Sequence, residues 1–158
     1  MMKFAELISI LQAHAKLHES LYKLAERKTE ALKKNDIDAL STLMKDEQKH
    51  IFAIRQLEEQ RIGWLKKTFP NETVTITRCL ELADETEREQ LRQWHGRLAE
   101  AITRLRQVNE LNKQLLEQSL QFVTAMLDVM MPSAQPIAYN KANEYETPPN
   151  RSIFESKA

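Results

Sequence analysis

Cysteine occurs once in this chain, at Cys79. A lone cysteine closes no disulfide within the chain, which fits a reducing compartment. Glycine occurs 2 times and proline 5 times in 158 residues. So few breakers leave little room for hairpins or tight turns, and two separated glycines cannot build a phosphate-cradling loop. Aromatic residues make up only 6% of the sequence, too few for a base-stacking platform. Neither sign of charge dominates, since 23 Lys and Arg balance 23 Asp and Glu. A nucleic-acid binder should carry a basic excess or stripe, and steering toward an anionic membrane needs one too. The start, Met1-Met-Lys-Phe-Ala-Glu6, meets an acid before any apolar core forms. We therefore expect no signal peptide, no membrane insertion and a cytoplasmic location.

What remains is the composition of long helices, rich in Ala, Leu, Glu, Lys, Gln and Arg. Four helical segments and a tail can be read. The first spans about Lys3 to Lys34, with Phe4, Leu7, Ile8, Leu11, Leu17, Leu21, Leu24 and Leu32 close to a 3.6-residue period. Asn35-Asp36 breaks it, and Asp36 is placed to cap the next helix. The second segment runs from about Ile37 to Phe69 and carries Leu40, Leu43, Met44, Ile51, Ile54, Leu57, Ile62 and Leu65. Gly63 lies inside it, and Pro70-Asn71 ends it. So short a join near Asn35 predicts an antiparallel hairpin. Val74 to Ala83 reads as a short helix capped by Thr75 or Thr77. The β-branched run Thr73-Val-Thr-Ile-Thr77 has strand composition but no partner strand elsewhere.

The last helix is expected from about Glu85 to Met131, on the order of 70 Å at 1.5 Å per residue. Leu91, Trp94, Leu98, Ala101, Leu105 and Val108 alternate spacings of three and four, a seven-residue repeat suited to coiled-coil packing. The repeat meets polar residues at Asn112 and Ser119. Two apolar stripes then run side by side. Leu115, Phe122, Met126 and Val129 form one; Leu116, Leu120, Val123, Leu127 and Met130 form the other. A helix packed on a single neighbour buries one stripe. Two stripes mean deep burial in the bundle, a homodimer seam, or a surface that receives a partner. Methionines at 126, 130 and 131 suit a surface that adapts to what it binds. Pro132 ends the helix, and the tail to Ala158 is polar, with Pro132, Pro136, Pro148 and Pro149. It has the composition of a flexible segment in which Tyr139, Tyr145, Ile153 and Phe154 are isolated apolar residues. The expected organisation is an all-α helical bundle domain over 1–131 and a flexible tail over 132–158. The bundle is an elongated helical hairpin plus a long C-terminal helix, giving three to four coiled-coil-like helices.

Catalytic chemistry finds little support. His14 and His18 share a helical face and could hold zinc together. Glu47-Gln-Lys-His50 is one Glu-x-x-His unit, but a di-iron bundle needs two, and Leu11, Ala15 and Arg92 stand where His14, His18 and His95 would need a glutamate. We therefore expect no metal, no cofactor and solvent-edge histidines. Nothing near Cys79 in sequence would activate it, so it reads as a small packing residue. Glu58-Glu59 and the acids Asp84, Glu85, Glu87 and Glu89 read as a solvated face and as ordinary charge placement at a helix start. Trp64 and Trp94 read as core or core-edge residues. The expectation is a protein without enzymatic activity.

Two stretches in order resemble the FlgN family of flagellar export chaperones. The first is Arg27-Lys-Thr-Glu-Ala-Leu-Lys-Lys-Asn-Asp-Ile-Asp-Ala-Leu-Ser-Thr-Leu-Met-Lys-Asp-Glu-Gln48, continuing to Leu57-Glu-Glu-Gln-Arg61. It is similar to the family's helix, short Gly/Asn-Asp turn, Leu-x-x-Leu, then Glu-Gln and later Leu-Glu-x-x-Arg. The second lies in Leu105 to Met131, where Asn109-Glu-Leu-Asn-Lys-Gln-Leu-Leu-Glu-Gln-Ser-Leu-Gln-Phe-Val123 is similar to the family's Asn-x-x-Asn-x-x-Leu-Leu-x-x-Ser-Leu-x-Phe. The resemblance spans about residues 5–140, and 70–90 and 141–158 contribute little to it. It implies a cytoplasmic helical chaperone that binds hook-associated proteins of the hook–filament junction. Such a chaperone prevents their premature assembly and brings them to the flagellar type III export apparatus. Carried onto this chain, the partner-binding surface is Asn109, Asn112, Leu115, Leu116, Ser119, Leu120, Phe122, Val123, Met126 and Leu127, with Tyr139 as a tail docking residue. The alternative is a structural coiled-coil adaptor or self-associating bundle, a homodimer through the 115–130 stripes.

Overall fold

The structure is a computed structural model, and it describes residues 3–131. Four helices follow in order: α1 (Ala5–Lys34), α2 (Ile37–Thr68), α3 (Ile76–Leu82) and α4 (Glu85–Met130). Among the described residues there is no strand; the β-branched run around Val74 leads into α3 instead. The chain divides into two units after Leu116.

The first unit is built on α1. Where α1 ends, Asn35 takes a left-handed conformation at φ 53° and its N–H returns to the Leu32 carbonyl. Asparagine tolerates that region better than most residues. Asp36 then accepts from the Ala39 N–H and caps α2. The two helices run antiparallel, because His14 faces Glu58, Ser20 faces His50 and Lys28 faces Glu47. α4 returns parallel to α1. Glu87 meets Phe4, Arg97 meets Glu19 and Asn112 meets Thr29, at sequence offsets of 83, 78 and 83 residues. α1 therefore lies between α2 and α4 and carries most of the buried side chains.

Two apolar clusters fill this unit. At one end, Phe4, Leu7, Ile8, Ile10 and Leu11 of α1 meet Trp64, Phe69, Cys79, Ala83 and Leu91. α3 closes this end: Thr75 caps it, and Arg88 binds its last carbonyls at Leu80 and Ala83 at 2.8 and 3.0 Å. Further along, Leu21, Leu24, Ala31 and Leu43 form the second cluster, with Ile54 and Leu105 against it. Leu91, Trp94, Leu98, Ala101 and Leu105 all face inward to some degree, as their spacing predicts.

Three expectations change. Met44 and Ile62, expected on the apolar face of α2, are exposed at 48% and 39%. α2 has one principal neighbour, so its buried arc is narrow and these residues fall outside it. Glu87 is buried rather than solvated. Asp84 accepts from the Glu87 N–H, and the Glu87 carboxylate in turn accepts from the Phe4 N–H at 2.8 Å. One acid of α4 thus satisfies an orphan donor at the start of α1. His14 is not at the solvent edge either: it is buried, and neither ring nitrogen makes a hydrogen bond. Burial, then the charge of His18, lowers its pKa below the ordinary 6.5, while Glu58, 3.6 Å away, pulls the other way. Glu58 is already held by two N–H groups of Arg61.

Candidate partner-binding surface

The seam of α4 that faces α1 has its last buried residue at Asn112. Asn112 is 6% exposed. Its Oδ1 accepts from the Thr29 hydroxyl, and its Nδ2 donates to the Ala25 carbonyl at 2.9 Å. All of the polar capacity it shows is used inside the bundle, so it is a tie between α4 and α1. The expectation that placed it on a partner surface is corrected here. A polar residue at a seam position looks exposed in sequence, yet a polar partner on the facing helix makes it an interior residue.

Beyond Asn112 the described part of α4 changes character. Leu116, Leu120, Phe122, Val123, Met126 and Leu127 are all exposed, Phe122 at 66% and Leu120 at 57%. Val129 and Met130 continue the exposed surface. Leu115 and Ser119 are half-buried, and Asn109 is exposed. Of the residues expected to bind a partner, nine thus lie on one helical segment at or near solvent, and Asn112 does not join them. Tyr139 lies outside the described residues.

The charge of this surface is sparse. From Gln114 to Met131 the only ionisable side chains are Glu117 and Asp128. α1 and α2 end on Lys33-Lys34 and Lys66-Lys67, but the last turn of α4 has no basic residue. Large contiguous apolar patches on a protein surface mark interaction sites. On α2, Ile37, Met44 and Phe52 are also exposed, at 76%, 48% and 62%. Phe52 breaks the helical period of its neighbours, which was the available signal.

Among the described residues, no group of three or more His, Cys, Asp or Glu could hold a metal ion. Cys79 is buried, and burial raises its pKa, which disfavours the reactive thiolate. His18 points Nδ1 at the His14 carbonyl, and His50 points Nδ1 at the Asp46 carbonyl. No helix of the described residues is long and apolar enough to cross a membrane.

Comparison with known proteins adds two matches. A family model described as FlgN protein matches residues 1–147. A curated relative from Bacillus subtilis (strain 168), described as uncharacterized protein YvyG, is 37% identical over 145 residues, covering 90% of this chain and 91% of its own. No solved structure matches.

Proposed function

The chain belongs to the FlgN family of flagellar export chaperones, and on that premise we propose that it binds hook-associated proteins through the exposed apolar segment of α4. The observation that carries this reading is the exposure of Leu116, Leu120, Phe122, Val123, Met126 and Leu127 on one continuous helix. A segment of the client that is unfolded before assembly and helical after it would lay its apolar face on this surface. Covering that face prevents premature assembly. Ordering the segment consumes part of the contact energy, which keeps binding reversible and allows release at the export apparatus. The chaperone works in the cytoplasm and carries its client to the flagellar type III export gate. Tyr139 is proposed to dock to the client or the gate. The reading needs no catalytic step and no cofactor.

The test is titration calorimetry of the full chain against the terminal segments of the hook-associated proteins. Leu120→Asp with Val123→Asp should abolish binding. Burying each of these side chains is worth about 1.5–3 kcal/mol, so the loss exceeds a hundredfold. Both residues are exposed, so helicity and the unfolding midpoint should stay unchanged. Unaltered binding by the double variant would overturn the assignment, and so would loss of the fold.

A further inference from the structure

We propose that the outward side of α2 is a docking surface for an acidic amphipathic helix of another protein. Its residues belong to the first unit, and the inference does not depend on the client surface assigned to α4. At about 100° per residue, Ile37, Met44 and Phe52 fall within roughly 80° of one another, and all three are exposed. Glu47, His50 and Glu58, which face α1, centre roughly 120° away around the helix. Ile37, Leu40, Ser41, Met44, Lys45 and Gln48 line an open groove along α2. Phe52 lies one turn beyond Gln48 on the same side. From Ile37 to Phe52 the surface is about 22 Å long, or about four turns, at 1.5 Å per residue. An open groove of that length fits a helix laid along it, whereas a small molecule needs a site that encloses it.

Charge decides the kind of helix. The chain as a whole is neutral, but folding separates the signs on α2. Between Ser41 and Ile62 the exposed ionisable residues are Lys45, Lys49, Arg55 and Glu59. Glu47 and Glu58 are half-buried and held by Lys28 and Arg61. Among the described residues, Lys45, Lys49 and Arg55 make no ion pair. Lys66 and Lys67 sit in the last turn of α2, where the helix dipole accounts for them. The three cations in the middle of the helix have no such account, and Lys45 repels Lys49 four residues on. They border the exposed apolar side chains: Lys45 lines the groove, and Lys49 and Arg55 stand three residues before and after Phe52. A partner helix with its apolar stripe on Met44 and Phe52 would bring its flank to these cations. An acidic flank relieves their repulsion, and a basic flank adds to it. Three cations beside Glu59 are fewer than the clusters that anionic lipid headgroups recognise, so the surface is assigned to a protein.

The experiment titrates the isotope-labelled full chain with a synthetic helical peptide of about four turns, carrying Leu along one face and Glu along its flank. A second peptide has Lys in place of every Glu, and vesicles of phosphatidylglycerol and phosphatidylcholine form a third arm. The acidic peptide should shift the amide resonances of residues 37–56, and added salt should weaken it. Lys45→Glu with Lys49→Glu should weaken the acidic peptide about tenfold and should let the basic peptide bind in its place. Phe52→Ser should weaken the acidic peptide about tenfold as well. These residues are exposed, so helicity should not change in either variant. Absence of binding, shifts confined to the end of α4, or equal binding of both peptides by the unaltered chain would overturn the proposal. So would shifts over 37–56 with the vesicles but not with the acidic peptide.

Discussion

Asn112→Ala separates an interior role from a surface one. In the structure Asn112 takes a hydrogen bond from the Thr29 hydroxyl and gives one to the Ala25 carbonyl, and all three groups lie inside the α1–α4 interface. Alanine removes both bonds. Each is worth about 0.5–1.5 kcal/mol net. The Thr29 hydroxyl has a second acceptor, the Ala25 carbonyl at 3.1 Å, and a residue in a helix keeps its backbone bond, so neither group is left fully orphaned. The small void from the lost amide adds to the cost. The expected destabilisation is about 2–3 kcal/mol, close to the sum of two bonds plus a minor packing loss.

Urea unfolding followed by helical circular dichroism measures it. Thr29→Val in the same background closes a double-mutant cycle, and contact predicts a coupling of about 1 kcal/mol. Client affinity, measured where both proteins are fully folded, should not change. A change in stability below about 0.5 kcal/mol, the ordinary range for surface substitutions, would refute the buried placement. If affinity fell at the same time, Asn112 would return to the partner surface.

Two further outcomes follow from the first unit. Burial lowers the pKa of His14 and of His18 below 6.5, so the folded state holds fewer protons than the unfolded state beneath that pH. Stability is then full above about pH 6.5 and declines as pH falls below it; denaturant midpoints read between pH 8 and 5 should show this, and His14→Phe should flatten the slope. Gly63 and Gly96 sit inside helices where a Cβ would meet nothing within 4 Å beyond the adjoining residues and the helix's own backbone. Each change to alanine should stabilise by about 0.5–1 kcal/mol, with additive midpoints in the double variant; a destabilised single variant would contradict the open space.

The helices were legible because their ends are marked chemically. Asn35 and Asp36 stop one helix and cap the next, Thr75 caps α3, and Leu91 to Leu105 announce the packed seam of α4. The two stripes after Leu115 were legible for the same reason: helical periodicity is local. What sequence reading missed depends on groups far apart in the chain. Asn112 becomes interior only because Thr29 stands opposite, and Glu87 only because the start of α1 needs an acceptor, both at an offset of 83 residues. Nothing near either residue states that offset. The available signal was paired: Thr29 interrupts the apolar face of α1 just as Asn112 interrupts that of α4, and two polar residues at seam positions can satisfy each other.

The last buried residue of α4 is Asn112, while its apolar pattern continues to Met130. An isolated helix of this length is marginal in water because its first turn is costly to form. Here the preceding turns of α4 are already fixed by packing, so the segment is helical without its own nucleus. Under the proposed function a partner would meet a helix already formed, and the ordering cost would fall on the partner. Amide hydrogen exchange tests this directly. In the free chain, amides from 117 to 130 should exchange much faster than those from 91 to 112, since opening them exposes no buried side chain. Binding a hook-associated protein should slow the first group and leave the second unchanged. Equal protection of both groups in the free chain would mean that the stripes are already covered, by a second copy or by the rest of the chain, and the open docking surface would have to be abandoned.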